Sequence, residues 1–260
     1  MNIISKNAKI GQNVKIGNFT TIHDNVEIGD NCVIEDNCIL GYPTKLAKEN
    51  KLIIGSDSYI RSHSIFYEGS KFGRKLVTGH GVLVRENTHA GSHLQIGTNA
   101  DIEGDCIIGN YVKMHTEVHI AKDSVIGDFV WFFPRVQFTN DPFPPSNICE
   151  GITIKDMAVI ATNSLLLPGI TIGMGSFVAA ASVVRSNVPD IYCVAGDPAR
   201  IFARVDKFFS VKHGLRYPWA QYFKSIYPEE SLLNLENCLD IIRKKISQDR
   251  EINFKENNLT

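Results

Sequence analysis

The chain has no strong excess of charge, no long apolar run and no apolar N-terminal segment. Its 260 residues carry 27 Lys and Arg against 28 Asp and Glu, which gives a formal net charge of -1. This balance argues against a nucleic-acid-binding protein, which usually has a basic excess. No run approaches the ~20 apolar residues of a membrane helix, and the start, MNIISKNAKIGQNVKIG, lacks a signal-peptide core. We therefore predict a cytoplasmic protein that binds neither nucleic acid nor membrane.

Cysteine pairs that could form a closely spaced metal or redox motif are also missing. The chain has six cysteines and no CxxC sequence. Cys32, Cys38 and Cys106 fall at one repeat position that elsewhere holds Ala, Ser, Thr or Val. They are therefore interpreted as small buried hydrophobic residues, which fits a reducing compartment.

What the chain does contain is a six-residue repeat. Apolar residues recur at every sixth position from Ile4 to Leu40, from Ile54 to Phe138 and from Ile154 to Val184, and a small or β-branched residue lies four positions after most of them. Gly often follows the leading residue, and we expect Gly or Asn to take turn conformations that other residues avoid. Polar loops interrupt the repeat at TKLAKENK and over Thr139–Gly151. The pattern predicts short strands and tight turns, with three repeats in each triangular coil of 18 residues and about nine coils in all.

The composition changes after CVAGDPARIFARV. We predict an all-β solenoid domain over residues 1–203 and a C-terminal helical region over 204–260. The segment from Tyr217 to Phe223 suggests a helix with Pro218 in its first turn. A second, amphipathic helix over 229–248 follows from the 3/4 spacing of its apolar residues: Leu232, Leu235, Leu239, Ile242 and Ile246. We expect these helices to cap the coil stack or to pack on a neighbouring subunit.

Residues 18 apart lie on one face of such a solenoid, one coil apart. Asp101, His119 and Gln137 form one of these columns. A carboxylate one strand from an imidazole can fix its tautomer, as a general base requires, although a solvated polar ladder would have the same spacing. His115 stands where the repeat usually has Gly, and it is a second candidate unless it points to solvent.

The second loop begins directly after the coil that follows His119. Its first residues, Thr139-Asn140-Asp141-Pro142, would roof a cleft beside the histidine column. Asn140 and Asp141 could hydrogen-bond an amide or amino group of a ligand. The alternative is a simple turn, which an Asx-Pro sequence favours.

The chain from about residue 3 to residue 200 resembles the hexapeptide-repeat acyltransferases. This resemblance implies a parallel β-helix, and it is also the basis for expecting that the helix is left-handed. The segment GNYVKMHTEVHIAKDSVIGDFVWFFPRVQFTNDPFPPS is similar to members that N-acylate nucleotide-linked amino sugars and carry a "TND" loop. VAGDPAR is similar to the "GNPA(K/R)" ending of coenzyme A-dependent members, with Asp197 in place of Asn. That likeness implies that Gly196, Ala199 and Arg200 contact the coenzyme, with the basic side chain near a phosphate.

The resemblance implies an N-acyltransferase that moves an acyl group, acetyl by default, from acyl-CoA to the amino group of a deoxyamino sugar linked to dTDP or UDP. His119, Asp101 and His115 are the predicted catalytic residues, and Glu103, Asn140 and Asp141 the predicted substrate-binding residues. No metal is expected. Either His119 or the departing coenzyme sulfur takes the amine proton. A homotrimer is expected, since the resembled families are threefold symmetric with sites between subunits.

Three other interpretations fit parts of the sequence. VHIAKDSVIG is similar to the catalytic coil of the acyl-carrier-protein-dependent O-acyltransferases that begin lipid A synthesis, but Lys122 replaces their catalytic His, and a charged Lys is a poor base at neutral pH. A zinc site would draw on His89, His93, His115 and His119, yet the register places His89 and His119 on different faces. A non-catalytic binding module would use outward aromatic residues as a partner surface; the alternatives are that these residues line the trimer interface or stack on a nucleobase: Phe129, Trp131 and Phe133.

Overall fold

The chain forms a parallel β-solenoid with three faces, followed by a segment that packs along one of them. The computed structural model describes residues 1–216 and 220–257. Face A holds ten strands, face B nine and face C eleven. The predicted solenoid is confirmed. The stack is slightly taller than the predicted nine coils, because two strands after the last repeat extend face C at the C-terminal end.

Each face is a ladder in which every strand pairs with the strands one coil away, and strands β1 to β29 run in parallel. Face A contains β1 (Ile3–Ile4), β4 (Thr21–Ile22), β7 (Ile39–Tyr42), β10 (Ile65–Tyr67), β13 (Leu83–Val84), β16 (Asp101–Ile102), β19 (His119–Ile120), β22 (Gln137–Phe138), β25 (Leu165–Leu166) and β28 (Val183–Val184). Face B contains β2 (Lys9–Ile10), β5 (Val26–Ile28), β8 (Leu52–Ile54), β11 (Lys71–Phe72), β14 (His89–Ala90), β17 (Ile107–Ile108), β20 (Val125–Ile126), β23 (Thr153–Ile154) and β26 (Thr171–Ile172). Face C contains β3 (Lys15–Ile16), β6 (Val33–Ile34), β9 (Tyr59–Ile60), β12 (Val77–Thr78), β15 (Gln95–Ile96), β18 (Lys113–Met114), β21 (Trp131–Phe132), β24 (Val159–Ile160), β27 (Phe177–Val178), β29 (Tyr192–Ala195) and the antiparallel β30 (Arg200–Arg204).

The leading residue of almost every repeat points inward and is buried in one continuous core. Cys32, Cys38 and Cys106 are free thiols within this core, as their repeat position predicts. Removing this column of apolar side chains from water supplies the driving force for the stack, at about 25 cal/mol per Å². Only the first coils are less covered: Ile4 and Ile10 remain 43% and 38% exposed.

The glycines that follow the leading residues have a different role from the one predicted. Gly17 and Gly29 do not have positive φ. A Cβ on Gly17 would lie 2.6 Å from the backbone N of Asp36, and one on Gly29 would lie 2.5 Å from that of Ser56. Glycine is needed there because the next coil passes too close for a side chain. The left-handed turn position lies two residues further along and is often Asn, as at Asn25 with φ 59°, which confirms the prediction for Asn.

The two predicted loops both leave the solenoid at the corner where face A turns into face B. The first loop, residues 43–51, connects β7 to β8, and the second loop, residues 139–151, connects β22 to β23. Neither disturbs the register, since Glu27 still pairs with Ile53 and Val125 with Thr153. The loops therefore add chain outside a continuous ladder, five strands of face A apart.

The C-terminal region lies along face C of its own chain rather than over the end of the stack. It comprises a 3-10 turn (Val205–Lys207), β31 (Phe209–Ser210), β32 (Leu215–Arg216), α1 (Ala220–Ile226), a second 3-10 turn (Glu229–Ser231) and α2 (Leu232–Asn257). Buried side chains of α2, such as Leu235 and Leu239, form an apolar cluster with Phe129 and Trp131. The amphipathic helix is confirmed, although the predicted Pro218 lies outside the described residues. Within the described ranges, no helix is long and apolar enough to cross a bilayer.

The packing of this region corrects the interpretation of the outward aromatic residues as a partner surface. Phe129 is fully buried and Trp131 is 6% exposed, because the C-terminal region covers them. The Tyr227 ring lies edge-on to Phe129 at 5.2 Å, and its hydroxyl accepts a hydrogen bond from Nε1 of Trp131. Phe133 remains partly exposed at the border of this cluster.

Candidate active site

His119 and Asp101 form a hydrogen-bonded pair on face A. They are paired residues of the neighbouring strands β19 and β16, and Nδ1 of His119 lies 2.8 Å from Oδ2 of Asp101. The hydrogen bond from the imidazole to Asp101 raises the pKa of His119, and this effect outweighs burial, which lowers it. With Nδ1–H donated to the carboxylate, Nε2 is left as the ring atom that can accept a proton.

Glu103 lies two residues after Asp101 and links the pair to the second loop. Its Oε2 accepts a 3.0 Å hydrogen bond from Nδ2 of Asn140 and a 3.1 Å bond from the backbone N–H of Lys122. The charge of Glu103 also contributes to the raised pKa of His119, so the carboxylate is within electrostatic reach of the imidazole. The structure therefore brings together four of the predicted residues: Asp101, Glu103, His119 and Asn140.

Asp141 orders the second loop from within. Its carboxylate accepts hydrogen bonds from the backbone N–H groups of Phe143 and Ser146, at 2.9 and 2.7 Å, and from the Ser146 hydroxyl at 2.6 Å. The hydrogen bond from the Ser146 side chain lowers the pKa of Asp141 most strongly. This arrangement is an Asx-type turn, which was the alternative considered for Asn140-Asp141-Pro142.

The first loop also reaches this corner, which the sequence did not indicate. Nζ of Lys48 lies 2.7 Å from Oδ1 of Asp105, and Nζ of Lys122 lies 3.2 Å from its Oδ2. Asn87 holds the loop backbone by accepting from the N–H of Lys48 and donating to the carbonyl of Leu46. Both interruptions of the repeat follow a strand of face A. This shared position is the feature of the sequence that indicates that the two loops lie at the same corner.

His115 lies apart from the Asp101–His119 pair. It follows the last residue of β18, a strand in the middle of face C, and stacks on Phe133, with ring centroids 5.0 Å apart. Its Nε2 is buried and has no hydrogen-bond partner among the described residues. Burial, and then the charge of Lys113, lower the pKa of His115 and keep the ring neutral. The structure does not join His115 to the candidate site, and its catalytic role stays a prediction.

The predicted coenzyme-binding residues lie at the last turn of the solenoid. Gly196 follows β29 with φ 96°, and the turn returns the chain into β30. Ala199 is buried, and its N–H donates to the carbonyl of Val183. Arg200 is exposed, with no ion pair to a carboxylate in the described part of the chain. Its Nη1 donates a 3.3 Å hydrogen bond to the carbonyl of Ala199, which leaves its other N–H groups for a ligand such as phosphate.

The histidines that could serve as zinc ligands lie on different faces of the solenoid. His89 lies on face B and His119 on face A, as their spacing predicts. His93 is bound to Glu230 at 2.8 Å and stacks on Tyr111. Across residues 1–216 and 220–257, no group of three or more His, Cys, Asp or Glu side chains is arranged to hold a metal ion.

The chain is similar to known acyltransferases in its repeat and in its fold. Residues 7–42 match the family model "Bacterial transferase hexapeptide (six repeats)". A serine acetyltransferase of Bacillus subtilis is 39% identical over 101 residues, which are 37% of this chain and 45% of that protein. A 2,3,4,5-tetrahydropyridine-2,6-dicarboxylate N-acetyltransferase of Clostridium perfringens is 45% identical over 64 residues, 25% of this chain and 26% of its own. The chain thus spans less than half the length of these relatives.

A solved structure extends the likeness in fold along nearly the whole chain. The Arabidopsis UDP-N-acetylglucosamine acyltransferase aligns with a TM-score of 0.59 over 93% of each chain, at 16% sequence identity. At this identity the alignment speaks for the architecture alone. The protein therefore carries the repeat of the bacterial hexapeptide transferases in residues 7–42 and has their parallel β-helix fold.

Proposed function

We propose that the protein is an acyl-CoA-dependent N-acyltransferase that acts on the amino group of a deoxyamino sugar linked to dTDP or UDP, with acetyl as the default acyl group. The observation that carries this proposal is the 2.8 Å hydrogen bond between His119 and Asp101. Glu103 and Asn140 are joined beside the pair, which places an acidic, partly covered site under an ordered loop.

The reaction needs an amine and an activated carbonyl. The amine nitrogen attacks the thioester carbon, the carbon–sulfur bond breaks, and the coenzyme leaves as a thiol. His119 accepts the amine proton at Nε2, while Asp101 holds Nδ1–H and stabilises the imidazolium. In the second form of the proposal the departing sulfur takes that proton, and His119 and Asp101 only position the amine.

The polar groups of the site suit an amino sugar. The Glu103 and Asp101 carboxylates attract the ammonium form of the acceptor, and Asn140 supplies an amide that can bond to sugar hydroxyls. Asp141 orders the loop through Ser146, and its predicted contact with substrate is retained as part of this proposal. Arg200, exposed at the last turn, is the proposed contact for a coenzyme phosphate, with Gly196 and Ala199 shaping that turn.

An O-acyltransferase of the lipid A type is the second candidate, favoured by the resemblance of VHIAKDSVIG to the catalytic coil of that family. The residue at the position of that family's catalytic His is Lys122. The hydrogen bond to Asp105 raises the pKa of Lys122, so it stays charged and cannot act as the base. For this reason the N-acyl reaction, with His119 as the proton acceptor, is the proposal.

The test is a mass-spectrometric screen of acyl-CoA thioesters and acyl carrier protein against a panel of nucleotide-linked sugars. Half of the panel carries an amino group and half the matching hydroxyl group. We expect product only from acyl-CoA and the amino sugars. Transfer to a hydroxyl group from acyl carrier protein would instead support the lipid A type. Absence of acetyl-CoA binding at millimolar concentration, measured by calorimetry, would favour the non-catalytic module.

The proposal includes a homotrimer, because His119 lies on an open face that offers only a shallow site for a ligand as long as CoA. Its side chain is 26% exposed on one chain alone. A second copy placed beside this face would turn it into a groove. Light scattering tests this directly: a mass three times the 29.0 kDa of one chain is expected, and a monomer would contradict it.

A further inference from the structure

We propose that the protein has a second ligand site, between face C and the C-terminal region, that binds a medium-chain monocarboxylate. The site is a cavity of about 330 Å³. It is bounded on one side by β18, β21 and β24 and on the other by β32 and α1. The Asp101–His119 pair lies on face A, so this cavity is separate from the candidate active site.

The walls of the cavity are apolar. Trp131 and Val159 form its floor and are 6% and 3% exposed. Phe133 closes one side, and Phe223 and Leu215 come from the C-terminal region. An apolar cavity of this kind gains free energy from taking up a hydrocarbon group in place of water.

Two nitrogen groups and the phenol of Tyr222 break this apolar lining. Nζ of Lys113 lies 4.7 Å from the centre of the Trp131 ring, and it forms no ion pair with a carboxylate of the described residues. Nε2 of His115 is buried without a hydrogen-bond partner in the same part of the chain. Lys113 and His115 both line the cavity. A cation without an anion and a ring nitrogen without a hydrogen-bond partner, on two residues of one apolar lining, are complementary to a carboxylate with an apolar body.

The state of the two groups supports an anion rather than a cation. Burial lowers the pKa of His115, so its ring is neutral at pH 7 and can place its proton on Nε2 to donate to a carboxylate. Lys113 supplies the positive charge. An ammonium ligand would be repelled by Lys113 and would find no carboxylate among the lining residues.

The volume sets the size of the apolar body. A cavity of roughly 150 Å³ holds one benzene molecule, with six carbon atoms. The present cavity is about twice as large, which corresponds to about ten to twelve non-hydrogen atoms. Octanoate fits this range and is the probe we choose.

The test is calorimetric titration of the full-length protein with octanoate, octylamine and 1-octanol, without CoA or sugar. Octanoate is expected to bind at least tenfold more tightly than either neutral or cationic analogue. Equal binding of the three, or no binding of octanoate at millimolar concentration, would overturn the proposal. Because no acyl donor is present, this result is independent of the proposed acyl transfer.

Two variants locate the site. Lys113→Met is expected to weaken octanoate binding at least tenfold, whereas Lys15→Met, at the same outward position of face C near the far end of the prism, is expected to change it less than twofold. Val159→Trp fills the cavity and is expected to abolish binding. Its melting temperature and near-UV spectrum report whether it folds. Undiminished binding by Lys113→Met, or by a folded Val159→Trp, contradicts the proposed location.

A spectroscopic measurement covers the case in which Val159→Trp does not fold. In the unaltered protein, the ring ¹⁵N shifts of His115 report the tautomer and its hydrogen bonding. Octanoate is expected to move the Nε2 resonance and leave that of His23, near the far end of face A, unchanged. An unchanged His115 resonance at saturating octanoate would contradict the proposal.

Discussion

Face A and face C of the same coils have different surroundings although the same repeat builds them. Their outward positions carry Asp101 and His119 on face A, and Lys113 and Trp131 on face C. On face A the two polar residues bond to each other and stay partly open to solvent. On face C the C-terminal region covers Trp131.

The difference shows that the repeat constrains the inward position and leaves the outward position free. Burial of the leading residues fixes the register, so an outward pair 18 residues apart lies side by side wherever no loop intervenes. Whether that pair becomes a polar site or part of an apolar contact depends on its side chains and on distant segments of chain. The following experiments alter one face at a time.

The largest effect is expected on face A from His119→Ala. If the ring accepts the amine proton, kcat should fall about 100- to 10,000-fold. His23→Ala is the matched control, since His23 lies near the far end of the same face and should leave kcat unchanged. Steady-state kinetics provide the measurement. A loss below about tenfold would assign the proton to the coenzyme sulfur.

On face C, the strongest expected effect is on stability, from Leu239→Ala in α2. Leu239 is 1% exposed in the cluster with Trp131, and the cavity left there should cost about 2–5 kcal/mol in docking of the helix. Leu233→Ala, in the same helix, is the control: Leu233 is 73% exposed and its loss should cost less than about 0.5 kcal/mol. Hydrogen exchange of α2 measures both. Equal effects would show that the helix is not held on face C.

Next is the link between the second loop and Glu103. Asn140→Ala removes the 3.0 Å hydrogen bond to the carboxylate, and kcat/KM should fall about tenfold, mainly through KM. The exposed Asn147, in the same loop, provides the control substitution Asn147→Ala, with less than a twofold change expected. A fall in kcat with KM unchanged would mean that Asn140 acts in the chemical step and not in binding.

The pH dependence of kcat/KM tests the Asp101–His119 bond more finely. His119 is inactive as a base while protonated, so activity should rise as pH increases through its raised pKa. Asp101→Asn removes the negative partner, which lowers the pKa of His119 and moves the acidic limb to lower pH, even though the plateau also falls. An acidic limb that stays in place would mean that another group controls it.

The smallest effect is expected from Lys122→Gln. Lys122 is charged and paired with Asp105 at a partly exposed site, so its removal should cost less than about 1 kcal/mol and change kcat less than threefold. A loss comparable to that of His119→Ala would identify Lys122 as part of the catalytic machinery. Thermal unfolding and kinetics on one protein preparation give both values.

The repeat predicted the His119–Asp101 contact because buried inward residues hold every strand in register. The same arithmetic separated His89 from His119. It could not predict that Lys48 reaches Asp105, since the conformation of the first loop is not fixed by the six-residue pattern. Nor could it place the C-terminal helix: the spacing of Leu235 and Leu239 shows that one side is buried but not against which face. The outward aromatic residues Phe129 and Trp131 did indicate an apolar contact. The sequence does not show that the contact is made by the C-terminal region of the same chain rather than by a partner protein.

The corner between faces A and B has a consequence for how much the chain can change in length. It accommodates two extra segments while the strands on either side keep their pairing, as Glu27 with Ile53 and Val125 with Thr153 show. The length and sequence of a loop at this corner can therefore change without altering the strand pairing. A segment of another length or composition could be grafted at residues 43–51 or 139–151 while the strand pairing that aligns His119 with Asp101 is kept.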